Sequence, residues 1–418
     1  MRVLWVVNTV FPDLAKRLGQ PEPVFGGWMY GAAAILAKCA PIELSVATVH
    51  PGEPLLAERI GDIDYHLLTS RRDLKQQWQA IIDQHKPDVI HVHGTEYPHG
   101  LELLQIAPGI PAIVSIQGLV SVCARYYLAG LSFSDVFRNI TFRDVVRMDT
   151  LFQQQRSMAQ RGEVEREYIA RATAIMGRTD WDRAHVEALR PDAPYVHCDE
   201  MLRDEFYGDE RWAYKDCKPH SIFVSQASYP IKGLHQLIKA AAIVKCHYPD
   251  IEIRVAGVDI TDASSWRSRI RRGGYGKYLR RLIEATGMQD TVRFLGVLDA
   301  AQMKVEYLRC NVSVCPSAIE NSSNSIAETQ ILGVPVIASQ VGGIDTMTGS
   351  FTVGQTYRFD EYEMLASQIR SAFLRRESLR DQGGIMLANA RHDRARILEC
   401  LSNAYAALGA RKAEARNL

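Results

Sequence analysis

Short runs of β-branched and aliphatic residues alternate with helix-period segments along this chain, and the alternation runs through twice. That pattern predicts βαβ units and a parallel sheet rather than hairpin-linked strands. In the first half the expected strands are Val3–Asn8, Ile42–Val49, Asp88–His93, Ala112–Ile116 and Ala174–Gly177, with helices such as Gly31–Lys38 and Leu74–His85 between them. The second set is Ser221–Ser225, Ile251–Ala256, Val292–Leu295, Val312–Cys315 and Pro335–Ala338. These runs are apolar almost throughout, as strands covered by helices on both faces are. A helix follows the first of the second set, with Leu234, Leu237, Ile238, Ala241 and Val244 forming one apolar stripe.

At 418 residues the chain exceeds one ordinary core. The fold class read from this is α/β, two tandem Rossmann-like doubly wound domains with ligands expected at the carboxyl ends of the strands, in an interdomain cleft. Asp199–Pro219 is polar and turn-rich and is read as the boundary. The organisation expected is an N-terminal domain over 1–205, a C-terminal domain over 206–390, and a helix with a basic tail over 391–418 that packs back on the first domain. Within the first domain, about 121–171 is a helical Arg-rich insertion carrying Arg138, Arg143, Arg147, Arg156, Arg161 and Arg166. Its plain reading is an insertion on the first domain with a solvated face. The sharper one is an acceptor-binding or membrane-surface element.

Composition excludes several classes. A net charge of +1 gives no reason to expect a nucleic-acid partner. The eight cysteines are scattered without a C-x-x-C pair, against a zinc site or disulfide framework and in keeping with a reducing cytoplasm. The apolar start Met1–Val7 is interrupted by Asn8 and reads as a buried strand, not a leader. No stretch has the length of a membrane span. A cytoplasmic location is expected, peripheral at most to the inner face of a membrane.

The most informative segment runs from Pro316 to Glu328, after an expected strand and into an expected helix. Its small residues let backbone N–H groups approach a ligand, and a helix N-terminus favours anions. Ser325-x-x-Glu328 also reads as a capping box that needs no ligand. Glu320 and Glu328, with seven residues between them, followed by Gly333-Val334-Pro335-Val336 and Val341-Gly342-Gly343, resemble the E-x7-E region of retaining GT-B glycosyltransferases of the group 1, or family 4, type. The resemblance is strongest from Ser221 to Gly343. It implies that Glu320 orients the transferred sugar and Glu328 binds the ribose of a nucleotide-sugar. Asn321 belongs to the same loop, the amides of Ser322 and Ser323 would face the sugar, and those of Asn324 and Ser325 the diphosphate. Lys232, in Tyr229-Pro230-Ile231-Lys232-Gly233, stands where the family neutralises the donor diphosphate. A lysine ahead of a helix is otherwise usually solvated. Many relatives carry an arginine five residues earlier, where this chain has Ala227. Base contacts in this fold come largely from backbone, here near Val292–Gly296, with Phe294 among them.

In the first half, Phe25-Gly26-Gly27 precedes a helix and resembles the family's loop near donor phosphate and acceptor. Asp88–Gly94 sets His91 and His93 on one strand face. A metallohydrolase H-x-H-x-D-H pattern fails at Thr95 and Glu96, so no metal is expected, and His93 is read as acceptor-side. Gln117 stands where relatives often have His or Asp. It cannot act as a base, yet can hydrogen-bond sugar or acceptor, and a front-face retaining mechanism needs no strong nucleophile. Arg178 follows a strand and is read as acceptor-side, against the alternative of a charged helix start capped by Asp.

The resemblance therefore implies a retaining, metal-independent glycosyltransferase without a cofactor, with Glu320, Lys232 and Gln117 at the reaction. It would move a sugar from a UDP- or GDP-sugar to a glycan or lipid-linked glycan hydroxyl, in bacterial surface polysaccharide synthesis. The alternatives are an epimerase or phosphorylase-like enzyme on the same fold, and a non-catalytic nucleotide- or glycan-binding module. Phosphate dependence or nucleotide release without an acceptor product would mark the first. A binding relic has no need to keep Lys232 and both glutamates. A nicotinamide oxidoreductase is disfavoured, because neither half has G-x-G-x-x-G after its first strand.

Overall fold

The computed structural model describes the whole chain except residues 22, 24, 25, 40, 53, 350–354, 376–381 and 417–418, and the side chains of 39, 56, 355 and 411–416. Phe25, named above with the glycine pair, lies outside the described residues. Packing divides the chain into two compact units. The first comprises Met1–Ser121, Gln160–Arg203 and Arg391–Leu418, and the second Val122–Ala159 and Asp204–Ala390.

The first unit is built on strands β1 (Arg2–Val6), β2 (Glu43–Val49), β3 (Leu55–Ile60), β4 (Ile63–Leu68), β5 (Val89–His93), β6 (Ala112–Ser115), β7 (Ala174–Gly177) and β8 (Tyr195–His197). They lie in the order β3-β4-β2-β1-β5-β6-β7-β8. All neighbours are parallel except β3 and β4. β5, β6 and β7 are buried along their whole length, as strands sandwiched between helices are. The hairpin β3–β4 escapes the sequence reading because its strands mix polar with apolar residues at a sheet edge, and Gly61 turns the chain with φ of +60°. The C-terminal helix Arg394–Arg416 sets Ile397, Leu401, Ala404, Tyr405 and Leu408 into this core. Trp5 Nε1 donates to the Tyr405 hydroxyl at 2.9 Å, and His91 Nδ1 lies 2.6 Å from the same oxygen.

The second unit carries β9 (Ser221–Val224), β10 (Glu252–Val255), β11 (Val292–Phe294), β12 (Val312–Cys315), β13 (Val336–Ser339) and β14 (Gln355–Tyr357). This all-parallel sheet is ordered β11-β10-β9-β12-β13-β14. The chain steps outward from β9 through β10 to β11, then returns to place β12 on the other side of β9. β9 and β12 thus flank a topological switch point, where doubly wound sheets open a crevice. The apolar stripe expected after β9 is the buried face of the helix Leu234–Lys245.

Two expectations about organisation change. Val122–Ala159 groups with the second unit, whereas the plain reading put the insertion on the first. Tyr127, Leu131, Val136 and Leu151 enter the second unit's core, and the His235 ring lies 2.9 Å from the Ala129 carbonyl. The expected linker is also not all solvent-facing. Cys198, Met201 and Leu202 are buried in the first unit, while Phe206 and Trp212 are buried in the second.

Candidate active site

The second unit brings together the segments that sequence reasoning singled out. Lys232 ends a 3-10 turn, Pro230–Lys232, after β9, and Glu320 sits in the loop after β12. Although 88 positions apart, Lys232 Nζ donates to Glu320 Oε1 at 2.6 Å. Backbone geometry enforces the meeting. Ala318 N donates to the Ile231 carbonyl at 2.7 Å, and Gly233 at φ +70° approaches the Pro316 carbonyl so closely that a Cβ would lie 1.6 Å from its oxygen. No side chain fits there. On the other flank Gly343 N donates to the Glu320 carbonyl at 3.0 Å, and a Cβ on Gly342 would lie 1.9 Å from that oxygen. The two loops are clamped by main chain before either charged side chain contributes.

Glu320 Oε1 also accepts from Ser317 Oγ at 2.7 Å, so both protein hydrogen bonds to this carboxylate fall on one oxygen. Oε2 has no partner among the described residues. Burial acts to lower the Lys232 ammonium, but the Glu320 carboxylate outweighs it and holds the group above its ordinary value. Lys232 is therefore a fixed cation, not the solvated lysine of the plain reading; only a quarter of its side chain is exposed. Burial raises the neighbouring Cys315 thiol to about 11, which keeps it neutral and unreactive.

The helix Asn324–Leu332 begins beside this pair, with Ser323 as N-cap and no side-chain cap hydrogen bond. The capping box expected from Ser325 and Glu328 is not formed, because the helix starts two residues earlier than that box requires. Ser323 Oγ instead lies 2.8 Å from Ser325 Oγ. The helix presents the Asn324 and Ser325 amides without a competing side chain, an arrangement that favours an anion. Glu328 lies one turn in and is buried, as are Asn321 and Ser323 in the loop. Ser322 is half-buried in that loop. Phe294, at the end of β11, packs against the core. Ala227 is buried too, so the position that carries arginine in many relatives offers no second cation.

In the first unit, Gly26 takes φ +84° with Thr9 Cγ2 only 2.7 Å from where a Cβ would stand, and Gly27 opens the helix Gly27–Cys39. His93 ends β5 as a buried ring stacked on His91, with centroids 3.8 Å apart. Neither His93 ring nitrogen has a hydrogen-bond partner among the described residues, and burial depresses the ring to about 3. His93, Arg178, Trp28 and Glu200 line one pocket of about 410 Å3, open solvent included. Arg178 is not free to meet a ligand. Its guanidinium donates to the carbonyls of Ile116 at 3.1 Å and Gln117 at 2.9 Å and pairs with Glu200. The helix that follows is capped by Thr179, not Asp180, while Asp182 accepts from the Arg178 amide at 3.0 Å. The Gln117 side-chain amide contacts Met29 Sδ at 3.7 Å.

Glu200 and its neighbours were missed. Burial raises the Glu200 carboxyl to about 7 against the opposing pull of Arg178. Asp199 pairs with Arg391 at 2.8 Å, and His392 Nδ1 lies 2.6 Å from the Glu200 carbonyl. The one local signal was Met201-Leu202, an apolar pair out of place in a linker. Arg391 and His392 arrive from the far end of the chain, which no local pattern reports. Among the described residues no cluster of three or more His, Cys, Asp or Glu could hold a metal ion.

Residues 209–384 match the family described as glycosyl transferases group 1. Over 127 residues the chain is 32% identical to the D-inositol 3-phosphate glycosyltransferase of Arthrobacter sp. (strain FB24), covering 30% of this chain and 28% of that protein. Over 114 residues it is 30% identical to the uncharacterized glycosyltransferase YqgM of Bacillus subtilis (strain 168), covering 27% and 28%. The matches thus span little more than a quarter of those relatives. Whole-chain similarity appears in solved structures. Sucrose-phosphate synthase from Thermosynechococcus elongatus superposes with a TM-score of 0.71 at 16% identity, covering 98% of this chain and 99% of that one. Anabaena HepE in complex with UDP-glucose gives 0.65 at 16% identity, covering 97% and 100%. At such identities the likeness establishes the fold, which is GT-B.

Proposed function

From the premise that residues 209–384 are a glycosyl transferases group 1 segment on a GT-B fold, we propose that the protein is a retaining glycosyltransferase. Its donor is a nucleotide-sugar, UDP- or GDP-linked, and its acceptor a glycan or lipid-linked glycan hydroxyl, as in bacterial surface polysaccharide synthesis. The observation that carries this reading is the Lys232–Glu320 pair, clamped at the β9–β12 switch point beside a helix N-terminus without a side-chain cap. Anabaena HepE, one of the similar folds, was solved with UDP-glucose, which supports a sugar nucleotide as donor.

In this mechanism the diphosphate sits against the amides of Asn324 and Ser325, with Lys232 as its counter-cation. As the glycosidic C–O bond breaks, negative charge grows on the departing phosphate oxygen. Lys232 and the helix dipole are already oriented toward it, so no reorganisation is needed at the transition state. Glu320 holds Lys232 through Oε1 and offers Oε2 to sugar hydroxyls. Glu328 takes the ribose hydroxyls, with the loop residues Asn321, Ser322 and Ser323 around the sugar. No metal or cofactor is required, because lysine and backbone dipoles carry the leaving-group charge. The acceptor-side role belongs to the first unit, with His93 and Gln117 as the groups in reach of a ligand and Arg178 as a positioning residue.

The reading is tested by turnover of UDP- and GDP-sugars in EDTA, with the product anomer assigned by NMR. The expected result is transfer with the donor's anomeric configuration kept. An inverted product, or turnover that needs a divalent cation, would overturn it.

A further inference from the structure

The Arg-rich segment is an inverted amphipathic surface. In the helix Phe142–Val146 the buried residue is Asp144, while Phe142, Val145 and Val146 are 82%, 61% and 63% exposed. The helix Phe133–Asn139 buries Val136 and the polar Asn139, while Phe133 and Phe137, one turn apart, stand 71% and 62% exposed with stacked rings. The helix Trp266–Arg271 buries nothing, and Trp266 and Ile270, again one turn apart, are 67% and 58% exposed. These helices are neighbours in the second unit. A Cβ added to Gly273, just past the last of them, would lie 3.3 Å from an Arg143 guanidinium nitrogen, and Lys277 Nζ donates to the Arg138 carbonyl at 3.3 Å. Apolar faces of globular helices normally point inward, so three adjacent ones turned to solvent call for a partner.

Charge selects that partner. The acids of this surface are engaged locally: Asp135 closes the capping box of Ser132, and Asp144 closes that of Thr141. Asp144 and Asp149 both pair with Arg143. Arg138, Arg147, Arg267 and Arg271 are exposed, and none of them pairs with a carboxylate among the described residues. Aromatic and aliphatic side chains set among unpaired guanidinium groups match a surface with an apolar interior and an anionic rim. A second copy of this chain fits poorly, because a two-fold contact would set arginines against arginines.

We propose that this face, formed by the helices Phe133–Asn139, Phe142–Val146 and Trp266–Arg271, docks the protein on an anionic phospholipid bilayer. Phe142, Val146 and Trp266 insert among the acyl chains, and the arginines meet the headgroup phosphates. Among the described residues no helix is long and apolar enough to cross a membrane, so this is attachment to one leaflet. It stands independently of the donor reading, since it involves none of the residues assigned there.

The test is flotation of the full chain with vesicles of equal phosphatidylglycerol and phosphatidylcholine, against phosphatidylcholine alone. The chain is expected to float with the anionic vesicles and to be released by raised salt. The triple variant F142S/V146S/W266S is expected to lose at least roughly tenfold in partition, with its melting temperature unchanged because the replaced side chains are exposed. The charge reversal R138E/R267E leaves the apolar faces intact and is expected to abolish the preference for anionic vesicles. Parent protein that stays in the bottom fraction, or a triple variant that floats like the parent, overturns the proposal. So does a parent that is dimeric in solution, fails to float, and becomes monomeric with F142S/V146S/W266S. That result would make the face a self-interface.

Discussion

The two units build their polar centres in opposite ways. In the second, Lys232 and Glu320 are set by backbone: Gly233 under the Pro316 carbonyl, Ala318 on Ile231, Gly343 on Glu320. The charged groups keep part of their side chains exposed. In the first, Arg178, Glu200, Asp199 and Arg391 form buried pairs, and His91 and His93 are buried neutral rings. Backbone clamps position charges without hiding them, so they stay open to a ligand. Buried pairs must satisfy one another, which makes them a framework. The difference separates charges held open for a ligand from charges spent on one another.

The largest effect expected from this contrast is on turnover. Lys232→Ala should lower kcat by roughly 100- to 1,000-fold, the range seen when a preorganised transition-state donor is removed. Arg178→Lys in the first unit should act mainly on stability, because that guanidinium is spent on Glu200 and two carbonyls. Equal effects of the two on kcat at unchanged stability would erase the distinction.

The same contrast explains what the sequence disclosed. Lys232, Glu320 and Glu328 lie in unbroken strand, loop and helix segments whose small residues and spacing are local, and the double winding was legible from apolar runs alone. The Glu200 network was not, because its parts come from 178, 199–200 and 391–392 and meet only through tertiary packing. Helix boundaries also misled. The capping box expected at Ser325 gave way to an N-cap at Ser323, since the loop is fixed by its contacts to Gly343 and Ile231 rather than by capping preference. The arginine spacing of the insertion read as a solvated face, yet the exposed residues between the arginines are aromatic and aliphatic.

The backbone clamp can be broken directly. Gly233→Ala places a Cβ against the Pro316 carbonyl at a left-handed φ, so one of the two loops must move. A loss of about 3 kcal/mol or more in stability is expected, at the upper end for such positions. Donor affinity should fall with it, and a melt and titration indistinguishable from the parent would show that the loops are not clamped.

Acid should distinguish the units more gently. Burial lowers His85, His91, His93, His99 and His392 in the first unit, against His235 in the second. A histidine whose folded value is depressed costs nothing above its unfolded value near 6.5. Below that, only the unfolded chain takes the proton, so stability falls as pH drops toward the folded value. By pH 5, His93 and His392 should each remove on the order of 1–2 kcal/mol, offset in part by Glu200, whose raised carboxyl takes up a proton in the folded chain over the same window. Hydrogen exchange followed from pH 7 to 5 should show β5 and the C-terminal helix losing protection before β9 and β12. Simultaneous loss would place the acid sensitivity elsewhere.

The smallest effect concerns the latch of the C-terminal helix. Tyr405→Phe removes the hydroxyl that meets Trp5 and His91 and should cost about 1–2 kcal/mol, with donor affinity unchanged. Weakened donor binding in this variant would couple the units more closely than their separate architectures imply.

The central claim, that the second unit is a working nucleotide-sugar site, is tested most directly by calorimetric titration with UDP, GDP, ADP and dTDP in EDTA, for the parent and for Glu328→Ala. The account predicts that UDP or GDP binds the parent without metal and that the variant binds it roughly tenfold to a hundredfold more weakly, as expected for lost hydrogen bonds to a charged group. If none of the four binds, or if the variant binds as tightly as the parent, the Lys232–Glu320–Glu328 arrangement is not a donor site.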